Sequence, residues 1–141
     1  MSTLKVTNVA HETSTLNTLV FDNGGGSGNG RVTTKGTIGE IAAVSYASTI
    51  TLDFRTANNF STTLTGNVTF ANPSNISAGQ SGILFITQDC TGSRTAAFGT
   101  YWDFRDGTAP TLSTGANQVD VIAWIARTNT NIAAQFIGNF S

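Results

Sequence analysis

A chain of 141 residues with 11% charged residues and a net charge of −1 can build one ordinary domain, or a smaller domain with an arm. It has no concentration of Lys and Arg of the kind that neutralises phosphates, so nucleic acid is not expected as a partner. Thr 24, Gly 15, Asn 13 and Ser 12 account for 64 of the 141 residues, a small-polar surface and a β-rich composition, because Thr suits a pleated, half-exposed face while Asn and Gly suit turns.

The opening "MSTLKVTNVAHETSTL" has a single Lys and no continuous apolar stretch, which reads as neither a secretory signal nor a membrane anchor, and no membrane partner is expected. Residues 4–9, "LKVTNV", alternate apolar and polar, and 16–21, "LNTLVF", could form a second strand; neither has enough apolar surface to fold alone. The stretch 22–31, "DNGGGSGNGR", would need a buried strand before it, a helix after it and a closing Gly-Lys-Ser/Thr to cradle a phosphate. Its C-terminal neighbour, "RVTTKGTIGE", is β-branched and broken again by Gly36 and Gly39, so the glycines read as a linker. The chain thus divides into residues 1–30, an arm with a Gly-rich linker, and residues 31–141, a β-domain.

Within the domain, "IAAVSYASTITLDF" (41–54) places Tyr46, Ile50, Leu52 and Phe54 at even positions with small polar residues between them, the pattern of one half-buried strand or two with a bend near Ala47. "FSTTL" (60–64) repeats the alternation, "TGN" turns the chain, and "VTFAN" continues it until Pro73 removes a ladder donor. "GILFITQ" (82–88) is apolar on both faces, as a central strand would be. "RTAAF", "YWDF" and "PTL" are short pieces, with Asp106-Gly107 as a tight-turn dipeptide. The runs 119–127 and 131–140 look like an antiparallel hairpin joined by "TNT", with Trp124 in the core. No helical period persists, and the spacing of short strands predicts an all-β fold, an antiparallel β-sandwich of jelly-roll type with an extended N-terminal arm.

The stretches "TLTGNVTFANPSN" (63–75), "AGQSGILFITQD" (78–89), "GSRTAAFGTYWDF" (92–104) and "APTLSTGANQVDVIAWIAR" (109–127) resemble a β-domain that recurs in structural proteins of tailed bacteriophages, notably those infecting cyanobacteria and other aquatic bacteria. The resemblance implies a non-enzymatic virion structural protein, made in the host bacterial cytoplasm and carried on the capsid surface or the tail. Between those places, the short chain and the lack of a shaft repeat favour a head decoration (cement) protein on the major capsid protein; the alternative is a tail-fibre or spike component that binds host surface polysaccharide. It also implies an assembly of like copies, expected as a homotrimer, and an arm whose Leu4, Val6, Val9, Leu16, Leu19 and Phe21 anchor it to other virion proteins.

Candidates for chemistry are sparse. His11 is the sole histidine and lies in the arm, Cys90 is the sole cysteine and reads as a small buried side chain at a strand end, and Asp89, Asp103, Asp106 and Asp120 read as turn-capping carboxylates. No catalytic residue, metal site or cofactor is expected. The stretch "TYWDFRDG" (100–107) offers Tyr101, Trp102, Asp103, Arg105 and Asp106 as a glycan or interface contact. Alternation there sends Trp102 and Phe104 to one face and Tyr101 and Asp103 to the other, so core packing competes with sugar contact.

Overall fold

The computed structural model describes residues 38–140. In chain order its strands are β1 (Ile41–Ala43), β2 (Thr49–Ile50), β3 (Asn59–Leu64), β4 (Val68–Phe70), β5 (Ser81–Gln88), β6 (Ala96–Phe98), β7 (Trp102–Phe104), β8 (Val119–Thr128) and β9 (Asn131–Phe140). A 3-10 turn at Arg105–Gly107 follows β7, with Asp106 and Gly107 at φ 58° and 67°. Both lie in the left-handed region that Asp-Gly tolerates.

The strands alternate between two sheets as the chain advances. β1, β3, β5 and β7 belong to a six-stranded sheet ordered β1-β3-β5-β8-β9-β7, and β2, β4 and β6 form a three-stranded sheet. Because each return to a sheet is made after crossing to the other, neighbours run the same way: β1 with β3, β3 with β5, β2 with β4 and β4 with β6 are all parallel. This is the winding of a β-solenoid. The hairpin β8–β9 is wedged between β5 and β7, with β8 antiparallel to both neighbours and β7 parallel to β9, so β8 alone runs against the other five strands of its sheet.

The all-β class and the final hairpin agree with the sequence reading; the antiparallel, jelly-roll-like pairing does not. Side-chain alternation has a period of two in either kind of sheet and carries no information on direction. The connections do. Residues 44–58 separate β1 from β3 and 65–80 separate β3 from β5, lengths that parallel neighbours need for a crossover and that a hairpin does not. Here a strand of the second sheet fills the crossover in place of a helix.

One apolar core lies between the sheets. From the six-stranded side come Phe60, Leu64, Leu84, Ile86, Ile122, Trp124 and Ile132, and from the other side Ile50, Val68 and Phe70, with Leu52 and Phe54 just beyond β2. Aromatic rings span the gap: Phe54 stacks on Trp124 at 4.0 Å between centroids and Phe98 meets Phe104 edge-on at 4.8 Å. Gly82 in β5 is required by this packing, since a Cβ there would strike the Asn58 carbonyl and the edge of the Trp124 ring.

Two buried polar side chains close one end of the core. Gln88, on the inner face at the end of β5, donates to the carbonyls of Arg94 (2.9 Å) and Ser113 (2.8 Å) and accepts from Arg94 N–H (2.9 Å). Asp120, fully buried, accepts from the N–H groups of Ser113 (2.8 Å) and Asn139 (3.0 Å). Asn139 has φ 63° and sits where the β8–β9 register shifts between Val119 and Val121, so the carboxylate holds a bulge in place.

Cys90 is exposed, contrary to expectation. It follows β5 in a turn organised by its neighbour Asp89, which accepts from the N–H groups of Thr91 (3.0 Å) and Gly92 (2.9 Å) and pairs with Arg94 at 2.8 Å. The hydrogen bond from Arg94, aided by the two N–H groups, holds the Asp89 carboxyl below the ordinary carboxylate range despite partial desolvation. A depressed folded pKa contributes stability that is present above the unfolded value of about 3.9 and disappears as pH falls through the folded value. Asp89→Asn is therefore expected to be less stable than the wild type at pH 7, with the difference closing as pH falls through the folded pKa of Asp89. Urea melts at neutral and acid pH check this; a difference that does not change with pH would show that the charge is not the stabilising element.

Candidate contact face

The outward side chains of the six-stranded sheet line up in cross-strand rows. One row runs Ala43, Ser61, Phe85, Val121, Ile137 across five strands, and the next runs Ile41, Asn59, Ile83, Ala123, Gln135. A third continues Ser81, Ile125, Ala133, Asp103. The middle of this face is therefore apolar. Ile125 and Ile137 remain 48% and 44% exposed, in contrast to the sealed inner face. Such a face on an isolated domain has no solvent-side reason to be apolar.

At the β7 margin the face dips into an open cleft of about 520 Å³ floored by Ala123, Ile125 and Ala133 and bordered by Asp103, Arg105 and Gln135. Asp103 pairs with Arg127 at 3.3 Å, both side chains largely exposed, a geometry worth little to stability in water. An apolar floor with one carboxylate, two guanidinium groups nearby and an amide can hold a partner surface or a ligand by contact and hydrogen bonding. Among the described residues no group of three or more His, Cys, Asp or Glu converges as metal ligands do.

The structure separates the residues that the sequence grouped at 101–106. Asp103 and Arg105 border the cleft. Trp102 faces inward and is buried, meeting Phe54 and Phe98 edge-on and donating its Nε1–H to the Ala71 carbonyl (3.2 Å). Tyr101 is half-buried, and its backbone is tied to Asn72 Oδ1 (2.9 Å) and Ile132 N–H (2.8 Å). Asp106 projects from the turn beside Arg105 at 3.5 Å. The arm residues Leu4, Val6, Val9, Leu16, Leu19 and Phe21, and His11, lie outside the described residues.

Sequence reasoning did not name Ala123, Ile125, Ala133 or Gln135. The signal for the first two was present in "VDVIAWIAR", whose odd positions Val121, Ala123 and Ile125 are apolar although the even positions already fill the core.

A family model described as "Putative phage tail fibre C-terminal domain" matches residues 46–130, from Tyr46 to the turn between β8 and β9. No curated protein and no solved structure matches the chain.

Proposed function

Since the chain belongs to the phage tail fibre C-terminal domain family, and is thus a bacteriophage structural protein and virion component, we propose that it is a non-enzymatic part of a tail fibre. The match over residues 46–130 carries the reading. It covers the three-stranded sheet, four strands of the six-stranded sheet (β3, β5, β7 and β8) and most of the core, and it bears on fibre rather than capsid, so the head-decoration preference drawn from chain length receives no support from it. Gold-labelled antibody against the chain on purified particles should decorate fibres, and particles carrying a version without residues 1–30 should lose the label if the arm is the anchor. Label over the head shell would overturn the fibre assignment, and undiminished label on the truncated version would overturn the anchor.

The domain assembles as a homotrimer in this reading, with the apolar middle of the six-stranded sheet set between copies. Six strands spaced about 4.8 Å apart, with a central strand of eight residues rising about 3.3 Å each, give a face of roughly 600 Å². That approaches the roughly 800 Å² per partner of a standard interface. Light scattering is expected to give three times the monomer mass, and the double variant Ile125→Asp with Ile137→Asp to give monomers with an unchanged circular dichroism spectrum. A wild-type chain that remains monomeric at all concentrations would sink the trimer.

A further inference from the structure

Five aspartates lie among the described residues, and four of them are held in place. Asp53 accepts from the Arg55 N–H (2.9 Å) and the Asn75 side-chain amide (2.8 Å), and Asp89 accepts from Arg94 and two backbone N–H groups. Asp103 sits in β7 opposite Ala133, and Asp120 is fully buried. Each of the four is followed by a residue with a side chain: Phe54, Cys90, Phe104 and Val121. Asp106 is different on both counts. Its side chain is 84% exposed, it meets the similarly exposed Arg105 at 3.5 Å, and the residue after it is Gly107.

The turn around it is held lightly. Thr108 N–H reaches the Arg105 carbonyl at 3.3 Å and Thr108 Oγ1 reaches the Asp106 carbonyl at 3.4 Å, both longer than such bonds ordinarily are. Residues 105–109 are exposed and belong to no strand. Asp106 stands at φ 58°, ψ 19° and Gly107 at φ 67°, with nothing within 4 Å of where a Gly107 Cβ would be. Left-handed backbone is disfavoured for a residue with a Cβ, so opening the turn releases strain. Rotation about the Asp106 Cα–C bond then brings its own carboxyl carbon against the Gly107 nitrogen, with no side chain on the glycine to block the approach.

We infer that Asp106 is a modification site, where the folded protein isomerises spontaneously to isoaspartate. The Gly107 backbone nitrogen bonds to Asp106 Cγ, and the carboxyl hydroxyl leaves as water with the proton from that nitrogen, closing a five-membered succinimide. Water then adds to one of the two ring carbonyls and breaks its bond to nitrogen. Opening at the side-chain carbonyl restores aspartate; opening at the main-chain carbonyl leaves the chain running through Cβ and Cγ. Water is released once and consumed once, so the product has the mass of the original. The product carries one extra methylene in the main chain directly after Arg105, which with Asp103 borders the open cleft of the outer face. Isomerisation therefore reshapes the rim of that cleft while the core strands keep their pairing. None of these steps depends on where the domain sits on the particle.

The test is incubation of the full chain at neutral pH, folded and in urea, followed by chymotryptic peptide mapping. The two isomers separate by chromatography, and endoproteinase Asp-N cuts before aspartate but not before isoaspartate. In the folded chain isoaspartate should form at 106 at least about tenfold faster than at Asp53, Asp89, Asp103 or Asp120, a barrier lower by about 1.4 kcal/mol. Asp106→Glu, which would have to close a six-membered ring, should remain unmodified there. Deamidation at Asn23-Gly24 and Asn29-Gly30 adds mass and is read separately. The folded rate at 106 should stay close to the rate in urea; a folded rate about tenfold or more below it would show that the turn protects the pair and would overturn the proposal, as would equal formation at Asp89. Amide spectra of the aged protein should show second peaks at 103–108 and Gln135, and their absence at Asp103 and Gln135 would overturn the effect on the cleft.

Discussion

Trp102→Ala is expected to destabilise the domain by about 3–5 kcal/mol, the cost of removing a large buried aromatic side chain. Trp102 touches rings that belong to different parts of the winding, Phe54 beyond β2 and Phe98 in β6, and its indole N–H bonds to the Ala71 carbonyl after β4. Truncation leaves a cavity at the meeting point of both sheets and strands that carbonyl. Trp102→Phe should recover a large part of the loss, because it restores ring contacts and forgoes only the hydrogen bond. Thermal melts measure both. A Trp102→Ala protein that melts with the wild type and loses only binding to host cells would mean that the ring serves as a platform for sugars and the packing is incidental.

Asp120→Ala should cost about 2–4 kcal/mol, because it leaves the N–H groups of Ser113 and Asn139 without an acceptor at a fully buried site. The damage is expected to be local in its first stage: hydrogen exchange should quicken at 113–117 and 138–140 before the melting temperature reports global loss. Asp120→Asn keeps one acceptor but turns an amide N–H₂ towards a backbone donor, so it should fall between Ala and the wild type. If Asn proved indistinguishable from the wild type, the second carboxyl oxygen would not be what holds the bulge.

Strand positions and the inward side chains were readable because burial imposes a period of two. Ile50, Leu52 and Phe54 alternate with polar residues in the sequence and are all buried in the structure. Direction was not readable from the same signal. A strand of "FSTTL" buries Phe60, Thr62 and Leu64 whichever way its neighbour runs. The length of the intervening chain excludes a tight hairpin between neighbours, but it fits a Greek-key return as well as a parallel crossover. The cleft at Asp103 was half legible: its polar border lies in one short stretch, but its floor comes from β8 and β9, brought to β7 by pairing that no local pattern encodes.

The single reversed strand gives the domain a polarity of extension. On the β1 side each added circuit of the chain could lay one more strand on either sheet without disturbing any pairing already made, since every neighbour there runs in the same direction. On the far side β8 turns back against β5 and occupies the position the next parallel strand would need. Duplicating about twenty residues, the 49-to-69 pairing interval of the smaller sheet, would lengthen the winding at one end, while the same duplication after β5 would find the ladder beside β5 already taken by β8. Length in this architecture is modular from one end and fixed at the other, so insertions and deletions of whole circuits are tolerable between β1 and β5, and only substitutions are tolerable in the hairpin that caps them.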